Sequence, residues 1–294
     1  MRSIYLILLF IDHLIIYPIE YKMVDTRELI EALHYIKKFK DQVFIIKFGG
    51  EILSDEKILE TIALDLVLLH DVGIHQIVMH GAGNLISSEM KRLGLEPEFI
   101  RGERVTDRET LSLVTGCLHY VNNKIVGKIN KNAAIAVGLA GGLFEARRKR
   151  KELGYVGDIT AVNSRIILEL IEKGHLPVVM PIGIDKEGNS LNINADVSAG
   201  ELARELNAMK MIILTHVEGV LDENGELISK LNIAEAKNLL KRKVVTGGMI
   251  PKLESGIRAI SRGVDRVHIV KAGEHAILGE LLTEEGTGTM ITRK

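Results

Sequence analysis

The sequence predicts an α/β fold in which a mainly parallel sheet is covered on both faces by helices. Continuous apolar runs such as Val43-Phe44-Ile45-Ile46 and Met211-Ile212-Ile213-Leu214 read as strands buried on both sides. They alternate with segments of helical periodicity, which is the pattern of βαβ units. Several of the runs end in glycines or polar residues, where open α/β sheets place their ligands.

The elements follow in order. Asp25-Thr26-Arg27-Glu28 has the spacing of a helix start, with Asp25 as cap and Glu28 three residues on. Leu29, Leu33 and Ile36 then recur on one face, flanked by Tyr35 and Phe39. A strand is expected at 43–47, a helix at about 56–71, a strand at 75–79 and a helix at about 84–94. Further apolar strands fit 133–138, 177–182, 210–215 and 266–270. Helices fit about 108–129, 162–173, 196–206, 233–240 and 251–262. A lobe boundary is expected near 206–210, which gives an N-terminal helix at 23–40, a first lobe at 41–206 and a second at 207–294.

Composition narrows the function. The 294 residues suffice for one large α/β domain or two lobes. The 38 Lys and Arg nearly balance the 39 Asp and Glu, so no global field favours nucleic acid or an anionic membrane. The run Arg147-Arg148-Lys149-Arg150-Lys151 is therefore local and reads as a solvated hairpin tip. Cys117 is the sole cysteine, which excludes an internal disulfide and a cysteine-based zinc site and fits a cytoplasmic location. It reads as a small buried hydrophobe. Residues 1–22 stand apart: Ile4 to Ile11 is apolar, but Asp12 and His13 interrupt it and Pro18 follows. That stretch is shorter than the ~20 residues a spanning helix needs. It reads as an extension or a mis-assigned start, with a membrane anchor as the alternative.

The chemistry lies in two lysines beside glycine pairs. Lys47 precedes Gly49-Gly50, and Lys252 closes Thr246-Gly247-Gly248-Met249-Ile250-Pro251-Lys252. Glycines let backbone N–H groups approach phosphates, and lysines supply the positive charge that phosphoryl transfer requires. Neither segment is a P-loop. In His80-Gly81-Ala82-Gly83-Asn84 a strand runs into a small-residue turn and a helix start, which suits an anion or merely a tight connection. Arg104 in Arg104-Val105-Thr106-Asp107 can hold a carboxylate in bidentate fashion, while Thr106 and Asp107 cap the next helix. Asn192, Asn194 and Asp196 share one short loop suited to a polar substrate, with a helix cap as the plainer use of Asp196. Thr215, His216 and Gly219 end a buried strand where a nucleotide could sit.

These motifs in this order resemble the N-acetylglutamate kinases of the amino acid kinase family, from about Thr26 to Thr292. The resemblance implies a three-layer αβα sandwich, with the amino-acid substrate on the first lobe and ATP on the second. It implies phosphorylation of the γ-carboxylate of N-acetyl-L-glutamate by ATP with Mg²⁺, in arginine biosynthesis. Lys47 and Lys252 would stabilise the transferring group and Asp196 would orient them. Gly49, Gly50, Gly81 and Ala82 would line the phosphate site, and Arg104 with Asn192 would hold the substrate α-carboxylate. Thr215, His216, Gly219, Gly247 and Gly248 would meet the nucleotide, and no protein metal site is expected.

The resemblance extends to the arginine-inhibited members, whose N-terminal helix interlaces dimers into hexamers. It implies a homo-oligomer and an L-arginine site near Tyr35, His268, Glu280 and Gly286. The chain departs from the family in three places. His216 replaces the usual Asp, the phosphate turn reads Gly81-Ala82-Gly83-Asn84, and the segment 138–142 is shortened. Two alternatives stay open: a kinase acting on an amino acid borne by an acidic carrier protein, and a catalytically impaired arginine-binding subunit.

Overall fold

The computed structural model describes residues 26–133, 135–282 and 286–293. The 1–22 segment and the expected Asp25 cap lie outside them.

Within that span come α1 (Thr26–Phe39), β1 (Val43–Phe48), α2 (Glu56–Asp71), β2 (His75–His80) and α3 (Gly83–Arg92). A short hairpin, β3 (Phe99–Ile100) with β4 (Glu103–Arg104), leads into the long helix α4 (Arg108–Ala133). Next are β5 (Ala136–Leu139), β6 (Phe144–Arg148), β7 (Gly157–Val162), α5 (Ser164–Glu172) and β8 (Leu176–Val179). Then follow β9 (Ile182–Ile184), β10 (Ser190–Asn192), α6 (Ala195–Glu205) and β11 (Lys210–Thr215). The last are β12 (Lys230–Asn232), α7 (Ile233–Lys241), α8 (Met249–Ser261), β13 (Arg266–Lys271), α9 (Ala276–Leu282) and β14 (Thr289–Thr292).

Eight strands form the central sheet in the order β12-β14-β13-β11-β1-β2-β8-β5. All neighbours are parallel except β13 with β14. β1 is buried along its length because both faces are covered, and Phe44, Ile45, Ile46 and Phe48 are sealed from solvent. Each such side chain contributes about 1.5–3 kcal/mol relative to exposure. On one face Phe44, Ile46 and Phe48 pack with Leu66 of α2, Ile125 of α4 and Ile277 of α9. On the other, Ile45 packs with Leu202 of α6 and Leu253 of α8. Period-two alternation of the strand assigns the two faces, and the result is three layers, αβα.

A second sheet, ordered β10-β9-β6-β7, lies over the α6 side and contributes Phe144, Ala146, Leu191 and Ile193 to the same core. The expected strand 177–182 is therefore two strands, β8 and β9, with a break at Met180-Pro181. The expected helix 162–173 begins later, because β7 occupies residues up to Val162. Helix α4 runs four residues beyond the expected 129, which shifts the strand from 133–138 to β5. Residues after 207 supply β11 to β14 and earlier ones β1, β2, β8 and β5, joined along the β1–β11 ladder. Among the described residues no helix is long and apolar enough to cross a membrane.

Candidate active site

Strand order runs outwards in opposite directions from β1 and β11, and the crevice beyond their C-terminal ends is where such sheets hold ligands. A cleft of about 350 Å³ opens there. Lys47, Gly49, Gly50, Gly81, Ala82 and Asn84 line it from the ends of β1 and β2. Arg104 and Asn192 line one side, and Asp196, Thr215, His216 and Lys252 the other.

Lys47 shares the face of β1 that carries Ile45, so it points towards α6 and α8. Its Nζ lies 2.7 Å from Asp196 Oδ1, with both side chains about one-tenth exposed. Asp196 is available for that contact because it does not cap its helix. Asn194 does so, its Oδ1 accepting from the amides of Asp196 (2.9 Å) and Val197 (3.1 Å). Ser255 of α8 donates to the Asp196 carbonyl at 2.6 Å, which fixes α8 against α6. Lys252, one turn earlier on α8, donates to Gly248 O at 3.0 Å. Burial holds the Lys252 ammonium below the usual lysine range, with Lys47 adding repulsion and Asp196 opposing both. Two ammonium groups thus face the cleft, and Asp196 pairs with Lys47 alone, an arrangement that attracts anions.

Backbone geometry shapes the end of the cleft next to Lys47. A side chain at Gly49 would meet Gly81 N at 3.1 Å and press the end of β2 away, so glycine favours the close approach of the two strand ends. Thr215 Oγ1 is buried at the end of β11 and has no hydrogen-bond partner among the described residues.

Arg104 forms the other end. It is buried, and its Nη2 donates to Gly83 O (3.1 Å) and Ser87 Oγ (2.7 Å) of α3. The Phe99 ring covers it at 4.7 Å. Burial pushes its guanidinium below the usual value. Among the described residues no carboxylate lies within ion-pair distance of it, an arrangement suited to an anion in the cleft. Asn192 Nδ2 donates to Thr106 Oγ1 at 3.1 Å, which ties β10 to the residue two places after Arg104. Asp107 caps α4 by accepting from Thr110 N at 2.7 Å, as its position predicts.

Not every expected residue joins the cleft. Gly219 packs against Thr289 and Leu227, and Gly247 and Gly248 form the turn into α8 without lining the cavity. His216 is exposed at the rim. Tyr35, His268, Glu280 and Gly286 lie elsewhere, on the α1, β13 and α9 side. There Glu280 accepts from His268 Nδ1 (2.5 Å), Thr287 N (2.6 Å) and Gly288 N (3.1 Å), so its carboxylate is held from within the protein. Lys210 belongs to the same region, buried with its Nζ 4.5 Å from the Phe39 ring. Burial and neighbouring Arg266 pull its ammonium down to about 8.

Sequence reasoning passes over His80, which sits beneath the phosphate turn. Asn122 Nδ2 faces its Nε2 at 3.0 Å and also donates to Val178 O at 2.9 Å. A side chain at Gly138 would strike Asn122 Oδ1, so α4 and β5 are closed around this amide. Burial lowers the His80 imidazole to about 4, which keeps it neutral and lets Nε2 accept. As pH falls below about 6.5 the unfolded chain takes up a proton there that the folded chain refuses until about 4. His80 therefore withdraws stability across that window, by about 3 kcal/mol at its lower end. Denaturant unfolding of wild type and His80→Gln at several pH values checks this; the stability difference is expected to shift in favour of the variant as pH drops.

Residues 42–271 match the amino acid kinase family. This chain belongs to the amino acid kinase family. Among curated relatives of this amino acid kinase, the acetylglutamate kinase of Methanothrix thermoacetophila is 44% identical over 92% of the chain and 99% of its own length. Of solved structures, N-acetylglutamate synthase from Neisseria gonorrhoeae, complexed with coenzyme A and N-acetyl-glutamate, aligns with a TM-score of 0.85 at 25% identity. That alignment covers 92% of this chain and 64% of the synthase. Carbamate kinase from Giardia lamblia, bound to AMP-PNP, shares the fold at a TM-score of 0.65 and 15% identity, over 86% of this chain and 99% of its own.

Proposed function

We propose that the chain phosphorylates the γ-carboxylate of N-acetyl-L-glutamate with ATP, giving N-acetylglutamyl 5-phosphate and ADP, in arginine biosynthesis. The observation that carries this reading is a buried guanidinium without an acidic partner, Arg104, across one cleft from the Lys47–Asp196 pair and Lys252. N-Acetyl-L-glutamate has two carboxylates: the α-carboxylate suits Arg104 and the γ-carboxylate suits the lysine end of the cleft. The name shared by the curated relatives supports the same substrate.

A γ-carboxylate oxygen attacks the terminal phosphorus of ATP, the new P–O bond forms, and the bond to the ADP oxygen breaks. The nucleophile is an anion at neutral pH, so no strong general base is required. Lys47 and Lys252 stabilise the charge spread over the transferring group, and Asp196 fixes Lys47 in place. The amides near Gly49, Gly50, Gly81 and Ala82 face the phosphate oxygens, and Thr215 Oγ1 offers a further hydrogen bond. Among the described residues no cluster of three His, Cys, Asp or Glu could hold a metal. Asp196, a carboxylate lining the cleft, is already on Lys47. Mg²⁺ bound with ATP would be held mainly by phosphate oxygens and water and would neutralise their charge. The single cysteine supports a cytoplasmic setting.

A carrier-borne substrate would call on the basic run at 147–151. Lys149 and Arg150 are instead engaged by Glu103, and Arg148 lies on the Tyr155 ring, which favours the free acyl-amino acid. Retention of Lys47, Asp196 and Lys252 favours an enzyme over an impaired subunit. Release of ADP with N-acetylglutamate, glutamate and aminoadipate decides the substrate. Activity confined to N-acetylglutamate is expected, and preference for either of the others overturns the assignment.

Assembly and inhibition belong to this same reading. Helix α1 exposes Leu29, Ile30 and Leu33, an apolar face that supports interlacing of dimers. L-Arginine is the ligand proposed for the Tyr35, His268, Glu280 and Gly286 region, with Lys210 beside it. A guanidinium in this region would share the Glu280 carboxylate with His268, Thr287 and Gly288. An arginine titration of turnover checks this, and indifference to arginine removes it without touching the kinase assignment.

A further inference from the structure

Glu103 stands at the mouth of the cleft next to Arg104, and the reaction above does not use it. A carboxylate there would repel an acidic substrate unless it were neutralised. Its Oε1 accepts from Lys149 Nζ at 3.0 Å and its Oε2 from Arg150 Nη2 at 3.3 Å. Lys149 is steadied in turn by Asp158 Oδ1 at 3.2 Å. The Glu103 side chain is 17% exposed and its cations 27% and 28%, so solvent screens these pairs less than a free surface pair.

The hairpin that carries Glu103 is too short to hold itself. β3 and β4 pair over two residues each, across a turn in which Arg101 and Gly102 have positive φ. Successive strand residues face opposite ways. Arg104 accordingly turns towards Gly83 and Ser87 of α3, and Glu103 towards residues 149–150. The residue after Arg104 is secured through its backbone, Val105 N donating to Glu98 O at 3.0 Å. Thr106 N then donates to Leu153 O at 3.0 Å. Apart from these stitches, Glu103 ties the hairpin by charge to the segment between β6 and β7.

We infer that Glu103 is a positioning residue: with Lys149 and Arg150 it anchors the 99–104 hairpin to the 149–150 segment and so holds Arg104 ready for a substrate carboxylate. The inference rests on the reading of Arg104 as a carboxylate clamp. It assigns a use to two cations of the basic run at 147–151, which the reaction leaves unexplained.

Hydrogen–deuterium exchange over residues 99–105 tests the anchor in the free protein, independently of any substrate. Glu103→Gln and the pair Lys149→Gln/Arg150→Gln should each speed exchange there by about three- to tenfold. All three changes together should do no more than either set alone, because both remove one contact. In steady-state assays any change in KM should fall on the acyl-amino acid, as a rise set by the lost fraction of the binding-ready hairpin, and KM for ATP should stay put. Unchanged exchange in the Lys149→Gln/Arg150→Gln protein overturns the anchor. So does a KM rise in Glu103→Gln alone, because Glu103 would then act on the substrate directly. If N-acetylglutamate is not a substrate, the exchange rates still decide whether the anchor exists.

Discussion

Lys252→Met is expected to cut turnover at least ~10²-fold, and Lys47→Met by no less. Losing one preorganised charge at a developing anion costs about 3–4 kcal/mol of barrier. The two variants should differ in stability. Lys252 is hydrogen-bonded to a carbonyl at the start of its own helix, so its loss leaves the fold intact. Lys47 neutralises Asp196, and its removal strands a carboxylate that is about one-tenth exposed. Leaving a buried charge unpaired costs about 3 kcal/mol. Thermal unfolding should therefore show a lower Tm for Lys47→Met and an unchanged one for Lys252→Met. Near-wild-type turnover in either protein contradicts the roles given to both lysines.

Arg104→Ala should act at the opposite end of the cleft. A clamp that grips the α-carboxylate binds ground state and transition state alike, so its loss appears in KM and not in kcat. A hydrogen bond between charged groups is worth about 1.5–3 kcal/mol, which predicts a rise in KM for the acyl-amino acid of about 10- to 100-fold. KM for ATP should not move. A selective effect on ATP would place Arg104 at the wrong end of the cleft.

The reach of the sequence differs between parts of the molecule for physical reasons. β1, β2, β11 and β13 are buried on both faces, so each shows as an apolar stretch of three or more residues or nearly so, and expectation and structure differ by one residue at most. β6 and β7 carry Glu145, Arg147, Arg148 and Asp158 on their outer sides, and nothing in that mixed pattern marks them as strands. β12 at the sheet edge and β14 beside it are three and four residues long, too short for a period to register.

In the site, residue types were legible but their partners were not. Lys47 and Asp196 stand out by type, while the 2.7 Å contact depends on α6 crossing the end of β1. Asn194 could have been read as the cap from its place two residues before Asp196, which frees that carboxylate. The contact between His80 and Asn122 joins β2 to α4, and no local spacing announces it. Glu103 looks like one more surface acid until the fold brings Lys149 and Arg150 to it.

The central claim is that this cleft moves a phosphoryl group from ATP to a carboxylate. Hydroxylamine captures an acyl phosphate as a hydroxamate, which forms a coloured iron complex, so trapping during turnover reports the acceptor group directly. With ATP, Mg²⁺ and N-acetyl-L-glutamate, hydroxamate should accumulate in step with ADP, and Lys252→Met should abolish both. ADP release without hydroxamate, or hydroxamate that does not depend on N-acetylglutamate, would contradict the account.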